Sequence, residues 1–230
     1  MRSMFIAGAC PITFANESLL LLPDRAVYWP ARKMLLLADV HLGKTASFRA
    51  FGLPVPEGST AKDLSRITKL LRVTHAERLL ILGDLIHAKS GRQPEVVDAI
   101  RTWRDEISAI RITLVRGNHD RASGNIPSDW HMDEVEEPLV EDGFVFTHDQ
   151  PCDPDEPTFA GHVHPMVHLP DYDGSIATAP CFVFDERCAI LPAFGTFTGG
   201  YKVDPAPGRR LFLVALTRVI PLSTRQDSCV

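Results

Sequence analysis

The chain has 230 residues, of which 45% are apolar, and this length allows one domain over residues 1–230 to bury a sizeable core. Its 24 Lys and Arg residues against 29 Asp and Glu residues give a net charge of −5, which excludes an overall basic surface for holding nucleic acid. Any phosphate-rich partner must therefore be bound by a local patch or by metal.

The cysteine pattern and the hydropathy favour a soluble, cytoplasmic protein. The five cysteines are scattered and include no Cys-x-x-Cys pair, which argues against a disulfide framework or a zinc ribbon. No apolar run approaches the roughly 18 residues that span a bilayer, so we expect no membrane partner. The residues up to Cys10 resemble a short secretory leader, but their apolar stretch is too short for export.

The first half of the chain alternates predicted strands and helices. Two short strands, at residues 19–22 and 26–29, precede three apolar runs typical of buried strands, at 34–38, 78–82 and 112–115. Apolar residues recur at helical spacing after Gly58 and again from Pro94, whereas residues 44–58, rich in Pro and Gly, are predicted to form a long loop. This order predicts a parallel α/β sheet, whose chemistry lies at the carboxyl ends of its strands.

The second half, beyond residue 121, lacks helical spacing. It contains short strand-like runs at residues 144–146, 158–160, 181–184, 189–191 and 211–216. These runs predict a second, more antiparallel sheet. No linker is long enough to separate the two halves into independent domains.

Polar side chains that can bind metal follow five of the predicted strands. They are Asp39 and His41, Asp84, Asn118 with His119 and Asp120, His148, and His162 with His164. Residues 117–120 alone could form an ordinary turn, because Gly, Asn and Asp are common turn residues. In extended backbone, residues two apart point to the same side, so Asp39 with His41 and His162 with His164 can each present two ligands together.

The donor types predict the kind of metal. Imidazole, carboxylate and amide oxygen without thiolate suit manganese, iron or zinc better than a cysteine-based structural site. The candidate ligands exceed the needs of one ion, so we expect two divalent ions that share a carboxylate. Two metal ions about 3.5 to 4 Å apart are the arrangement that enzymes use for in-line attack on phosphorus.

The motifs, in this order, resemble those of the calcineurin-like metallophosphoesterases. The matching segments are Asp39-Val40-His41, Gly83-Asp84, Gly117-Asn118-His119-Asp120, His148 and Gly161-His162-Val163-His164. The resemblance covers nearly the whole chain. It implies an α/β fold in which two mixed β-sheets form a sandwich flanked by α-helices, with both metals at one edge.

The resemblance also implies a role for each residue. It assigns Asp39, His41, Asp84 and His164 to one metal ion, and Asp84, Asn118, His148 and His162 to the other, with Asp84 as the bridge. His119 would donate to the leaving oxygen or stabilise the transition state, and Asp120 would orient and charge His119.

Three segments resemble, more narrowly, the bacterial ligase-associated DNA-damage-response endonucleases. They are residues 39–44, 48–58 and 191–200. This subfamily implies a manganese-dependent phosphodiesterase that acts on DNA in company with a DNA ligase, a helicase and an exonuclease. Asp149 departs from the pattern of many relatives, in which a second histidine follows the position of His148, and this puts substrate contacts at that position in question.

Four residues in loops after the motif strands are candidates for substrate contact: Lys44, Arg49, His87 and Arg121. They could bind phosphate or stack on a base, or they could be ordinary loop residues. The alternative function is a phosphodiesterase or phosphatase for small nucleotides, which would show no salt-dependent affinity for DNA. A non-catalytic scaffold is disfavoured, because every expected metal ligand is present.

Overall fold

The computed structural model describes residues 6–151, 154–170 and 175–222. The leader-like start through Phe5, and also Cys152 and Cys229, lie outside the described residues. No helix within the described ranges is long and apolar enough to cross a membrane.

Seven strands of the described chain lie side by side in the first sheet: β1 (Cys10–Phe14), β2 (Glu17–Leu22), β3 (Ala26–Trp29), β4 (Met34–Ala38), β5 (Arg78–Leu82), β6 (Arg111–Val115) and β7 (Asp133–Val135). The pairs from β1 to β4 are antiparallel, and those from β4 to β7 are parallel. The predicted parallel strands are therefore confirmed. Every residue of β4 is buried, as expected for a strand covered on both faces.

The described α-helices are α1 (Lys44–Ala50), α2 (Ser59–Thr74), α3 (Pro94–Glu106) and α4 (Asn118–Ser123). The crossovers between β4, β5 and β6 contain α2 and α3, whose apolar stripes pack on one face of the first sheet. Ile67 of α2 and Ile100 of α3 are fully buried there, in a cluster that also contains Leu37 and Ile81 of the sheet. The helical spacing after Gly58 and from Pro94 is thus confirmed.

The prediction of a loop over residues 44–58 is wrong for its first part, which forms α1. This helix has only seven residues, too few for an apolar period to be recognised. Tertiary contacts hold it instead: Ser47 Oγ lies 2.6 Å from Ser90 Oγ, in the 3₁₀ turn Lys89–Gly91. The predicted loop is retained from Phe51 to Gly58.

The second sheet contains nine strands in the described ranges: β8 (Leu139–Glu141), β9 (Phe144–Phe146), β10 (Thr158–Ala160), β11 (Pro165–Pro170), β12 (Ile176–Phe184), β13 (Cys188–Ile190), β14 (Tyr201–Lys202), β15 (Arg210–Val214) and β16 (Val219–Leu222). Five of its strand pairings are antiparallel and three are parallel, among the residues described. The expectation of a second, more antiparallel sheet is confirmed.

An apolar cluster fills the space between the two sheets. Leu36 and Leu82 of the first sheet lie in it with Phe146, Phe159 and Phe182 of the second, and all five are almost fully buried. The rings of Phe146 and Phe159 stack with centroids 5.7 Å apart. The chain therefore forms the predicted sandwich of two mixed sheets, with α2 and α3 on an outer face.

An ion pair also joins the sheets. Arg78 of β5 donates two hydrogen bonds to Glu141 of β8, at 2.6 and 2.8 Å. Such a two-point pair is directional, because the planar guanidinium matches the carboxylate.

Candidate metal centre

The candidate ligands follow strands of both sheets. The loops after β4 and β5 supply Asp39, His41 and Asp84, and Asn118 is the first residue of α4, which follows β6. The loops after β9 and β10 supply His148, His162 and His164. The strands within each set are parallel, so their carboxyl ends share one edge, and the two edges meet at a common centre.

The backbone of this centre is left-handed at five candidate ligands. Their φ angles lie between 48° and 64°, at Asp39, His41, Asp84, His162 and His164. The expectation of extended backbone at Asp39 with His41 and at His162 with His164 is therefore wrong. A left-handed residue turns the chain sharply, so these side chains converge through loop turns and not through strand alternation. Each such residue costs of order 1 kcal/mol or more, which the surrounding structure must offset.

Two glycines permit close approach in the same place. Gly83 has a φ of 73°, and a Cβ at this position would overlap the imidazole of His148. A Cβ on Gly117 would overlap the carboxylate of Asp84. Both positions require glycine, because any side chain would displace a candidate ligand.

The first group of candidate ligands consists of Asp39, His41 and His164, whose donor atoms lie within 4.8 Å of one another. His164 Nε2 is 3.3 Å from Asp39 Oδ1 and 3.4 Å from His41 Nε2. The Nδ1 atom of His164 donates to the carbonyl of Gly199 at 3.1 Å. This bond fixes the ring and leaves Nε2 directed at the group.

The second group consists of Asp84, His148 and His162, with Asn118 beside it. His148 Nε2 lies 3.0 Å from His162 Nδ1 and 2.9 Å from Asn118 Oδ1. The Nδ1 atom of His148 donates to the carbonyl of Leu82 at 3.2 Å. Nε2 of His148 therefore faces the oxygen of Asn118, and a cation between these two atoms would accept a lone pair from each.

Asp84 lies between the two groups. Its Oδ2 atom is 3.5 Å from His148 Nε2 in the second group and 4.0 Å from His41 Nε2 in the first. The same oxygen is 3.9 Å from His119 Nε2. Oδ1 accepts the backbone N–H of His119 at 3.0 Å, which fixes the carboxylate plane.

Burial determines the charge states in the centre. It lowers the pKa of His41 far below the usual value, and the charge of Lys44 acts in the same direction, so His41 is neutral, the form that binds metal. Burial also raises the pKa of Asp84; the charge of Asp39 adds to this, and His148 opposes it. Two buried carboxylates repel each other, and a bound cation would relieve the repulsion.

The donor set fits two divalent cations. Asp39 Oδ1 is buried and has no hydrogen-bond partner in the part of the chain that the structure describes, which is rare for a native carboxylate. The nitrogen–nitrogen distances of 3.4 and 3.0 Å match neighbouring ligands of one ion, given metal–nitrogen bonds of about 2.0 to 2.1 Å. The centre therefore has two candidate metal sites.

The ring of His119 is oriented by the backbone. Its Nδ1 atom donates to the carbonyl of His87 at 2.6 Å. Asp120 instead accepts the N–H of Gly117 at 3.0 Å, which caps the start of α4, and the N–H of Ile86 at 3.1 Å, which ties α4 to the segment after β5. The expectation that Asp120 orients His119 through their side chains is therefore wrong. Burial raises the pKa of Asp120 to about 6, although these two hydrogen bonds act against it.

Two of the four predicted substrate contacts lie next to the centre. The ring of His87 stacks on that of His119, with centroids 5.0 Å apart. Lys44 begins α1 and is half-buried; burial lowers its pKa, while the charges of Asp84 and Asp39 oppose the shift.

The other two predicted contacts, Arg49 and Arg121, are paired with acidic residues. Arg49 Nε is 3.7 Å from Glu57 Oε1, and Arg121 Nη2 is 2.6 Å from Glu137 Oε1. A guanidinium held in an ion pair is less available to phosphate. Substrate contact by Lys44, Arg49, His87 and Arg121 stays a prediction.

Glu137 supports the centre from a position that the sequence did not indicate. Its Oε2 atom accepts hydrogen bonds from Thr147 Oγ1 at 2.7 Å and from the backbone N–H groups of His148 at 2.8 Å and Asp149 at 3.1 Å. Burial alone would raise the pKa of Glu137, but the bonds from Arg121, Thr147 and these N–H groups outweigh it and lower the pKa to about 2. No motif surrounds Glu137, so only the fold reveals this contact.

An open cavity of about 440 Å³ lies over the centre. Its walls are formed by Asp84, His119, His162, His164, Gly199, Gly200 and Tyr201. Tyr201 was not among the predicted site residues, although it directly follows residues 191–200, which carried part of the resemblance. A substrate in this cavity would contact both candidate metal sites and His119.

Residues 32–185 match the family described as calcineurin-like phosphoesterase. The structure is similar to that of the nuclease MPE from Pseudomonas putida, with a TM-score of 0.81 and 41% identity over 93% of this chain and 100% of that chain. Among curated proteins, none matches this chain.

Two further solved structures are much less similar. One is a protein of unknown function from Aquifex aeolicus, with a TM-score of 0.34 and 20% identity over 53% of this chain and 63% of that chain. The other is Yfce, a phosphoesterase from E. coli, with a TM-score of 0.37 and 17% identity over 79% of this chain and 87% of that chain. These likenesses are too weak to inform the site.

The family match includes every candidate metal ligand, from Asp39 to His164. The paired donor groups agree with it, because two neighbouring metal sites are a common arrangement in enzymes that hydrolyse phosphoesters. The chain belongs to the calcineurin-like phosphoesterases and is a metal-dependent phosphoesterase.

Proposed function

We propose that the protein is a dinuclear phosphodiesterase that cleaves DNA as an endonuclease in the DNA damage response. The observation that carries the proposal is the position of Asp84 Oδ2, 3.5 Å from His148 in one donor group and 4.0 Å from His41 in the other. A shared carboxylate is suited to bridge two ions. One site then consists of Asp39, His41, His164 and Asp84, and the other of Asn118, His148, His162 and Asp84.

The metals are two divalent ions, with Mn²⁺ as the proposed species and iron or zinc as alternatives. Neutral imidazoles together with carboxylate and amide oxygens support this choice, because manganese accepts such mixed oxygen and nitrogen donors. When bound, the ions would activate water and would neutralise the charge of the phosphoryl oxygens. The protein's own contribution is to orient the substrate and to supply a proton to the leaving oxygen.

His119 is proposed to serve the leaving oxygen. Since a carbonyl only accepts hydrogen bonds, the bond to His87 requires a proton on Nδ1 of His119. Nε2 can therefore donate to the leaving oxygen only when the ring is an imidazolium. The side chain is 38% exposed and lines the cavity, so Nε2 can reach a bound phosphodiester.

Two observations support nucleic acid as the substrate class. The similar structure from Pseudomonas putida is described as a nuclease, and the cavity over the centre opens to solvent beside both candidate metal sites. The cytoplasm is the proposed location because it holds such a substrate. An association with a DNA ligase, a helicase and an exonuclease rests on the subfamily resemblance alone.

One domain is proposed for residues 1–230. The cluster between the sheets draws residues from both halves of the chain, including Leu36 and Phe182, which supports a single cooperative core.

A small-nucleotide phosphodiesterase or phosphatase is the second candidate. The charge of −5 favours it, together with the pairing of Arg49 and Arg121 with acidic residues, because both features weaken the attraction of a long polyanion. The two candidates share the metal centre and differ in the substrate.

The test is manganese-dependent release of nitrophenol from bis(p-nitrophenyl) phosphate, beside the mono-ester, with metal-stripped protein as the control. We expect a preference for the diester, and cleavage of labelled DNA that weakens as salt is added. The variant Asp84→Asn should lose turnover and bind less manganese. A preference for the mono-ester would favour a phosphatase, and full activity of Asp84→Asn would contradict the bridging role.

A further inference from the structure

The segment Gly199 to Tyr201 is bound directly to a candidate metal ligand. His164 Nδ1 donates to the carbonyl of Gly199 at 3.1 Å, and the N–H of Tyr201 donates to the carbonyl of His164 at 3.1 Å. β14 then pairs in parallel with β11, with Tyr201 opposite Pro165. A Cβ at Gly200 would overlap the carbonyl of His164, so the two segments approach as closely as the backbone allows. These contacts fix the backbone of Tyr201 relative to the metal centre.

The side chain of Tyr201 forms part of the wall of the metal cavity and is open to solvent. It is 72% exposed, yet it lines the same cavity as Asp84, His119 and His162. Within the described ranges, no other aromatic ring and no cation packs on its face. An aromatic face held at the edge of a catalytic cavity is available to a planar group of the substrate.

The other residues that line the cavity offer few side chains that could bind a part of the substrate other than its phosphate. Among the described residues that line it, there is no Lys or Arg. The described walls of this cavity therefore offer no cationic side chain to the phosphates of a nucleic acid strand. The group next to a phosphodiester that an aromatic ring can bind is the nucleobase, since every base has a π face.

We propose that Tyr201 stacks on the base beside the cleaved phosphodiester and thereby favours nucleotide diesters over simple alkyl diesters. This inference rests on the proposed phosphodiesterase function and adds a specificity residue to it. The phenol hydroxyl is not required, because stacking depends on the ring.

The test compares three diesters with the same leaving group: the two regioisomers of thymidine p-nitrophenyl phosphate, and methyl p-nitrophenyl phosphate. Wild type is measured beside Tyr201→Phe and Tyr201→Trp, which keep an aromatic face, and Tyr201→Leu, which keeps apolar bulk without one. Bound manganese is measured for each variant, because a structural defect at His164 would lower it.

We expect wild type, Tyr201→Phe and Tyr201→Trp to favour a thymidine ester. In Tyr201→Leu, the ratio of kcat/KM for that ester over the methyl ester should fall about 5- to 100-fold. The loss should lie in KM, with kcat and bound manganese retained. An unchanged ratio in Tyr201→Leu, or an equal loss for all esters, would overturn the role of Tyr201. If wild type hydrolyses none of the esters, the phosphodiesterase function itself is refuted, and this inference with it.

Discussion

Replacing Glu137 with Ala tests whether a residue that binds no metal sets the position of one that does. One carboxylate oxygen of Glu137 accepts three hydrogen bonds, at 2.7, 2.8 and 3.1 Å, from Thr147, His148 and Asp149. A bond to a charged group contributes about 1.5 to 3 kcal/mol, and three bonds that share one oxygen contribute less than their sum. A loss of about 10- to 100-fold in metal affinity follows, as is usual for residues that hold metal ligands.

The assay is a titration with manganese, in which binding is measured by calorimetry and activity by the turnover of bis(p-nitrophenyl) phosphate. We expect Glu137→Ala to need more manganese for half-maximal turnover and to approach the wild-type rate when saturated. The matched control is Glu136→Ala, because Glu136 also pairs with Arg121, at 3.4 Å, but its side chain is 62% exposed. If the two variants show the same manganese dependence as wild type, Glu137 does not position His148.

Three more outcomes are expected. Gly83→Ala should abolish turnover and lower manganese binding, since its Cβ would displace His148; retained binding would contradict the close approach. His119→Ala should keep manganese but lose turnover, most with poor leaving groups; an unchanged rate would remove its role. Glu141→Gln should destabilise the protein near neutral pH, because Arg78 lowers the pKa of Glu141 from 4.5 in the folded state. The difference in Tm between Glu141→Gln and wild type should be largest above the unfolded pKa of about 4.5, and it should shrink as the pH falls through the lower pKa of the folded state. A difference in Tm that persists at low pH would refute the role of this ion pair.

The sequence predicted the parallel strands and the two long helices because their apolar residues repeat over many positions. β4 matches its apolar run at both ends, and α3 begins at the expected Pro94. It also predicted which residues meet, since Asp39, Asp84 and His148 each follow a strand and parallel strands end at one edge. Local pattern is sufficient for these features.

The remaining features depend on contacts that no local pattern records. The seven residues of α1 are held by packing against the turn around Ser90. Glu137 reaches His148 across eleven positions, and His119 is oriented by the carbonyl of His87 instead of Asp120. The left-handed backbone at the ligands was missed because only a few per cent of non-glycine residues adopt a positive φ, so an Asp or a His after a strand does not by itself predict one.

Because the candidate ligands are distributed over both sheets, metal ions bound at the two candidate sites would cross-link the sandwich. Each donor group joins side chains from the first sheet, such as Asp39 or Asp84, to histidines from the second, such as His164 or His148. Separation of the sheets would therefore require release of both ions. Free metal at a hundred times its Kd would add about 2.7 kcal/mol to stability. A chelator would thus both inactivate the protein and lower its melting temperature, so that metal supply in the cell would set the lifetime of the folded chain as well as its activity.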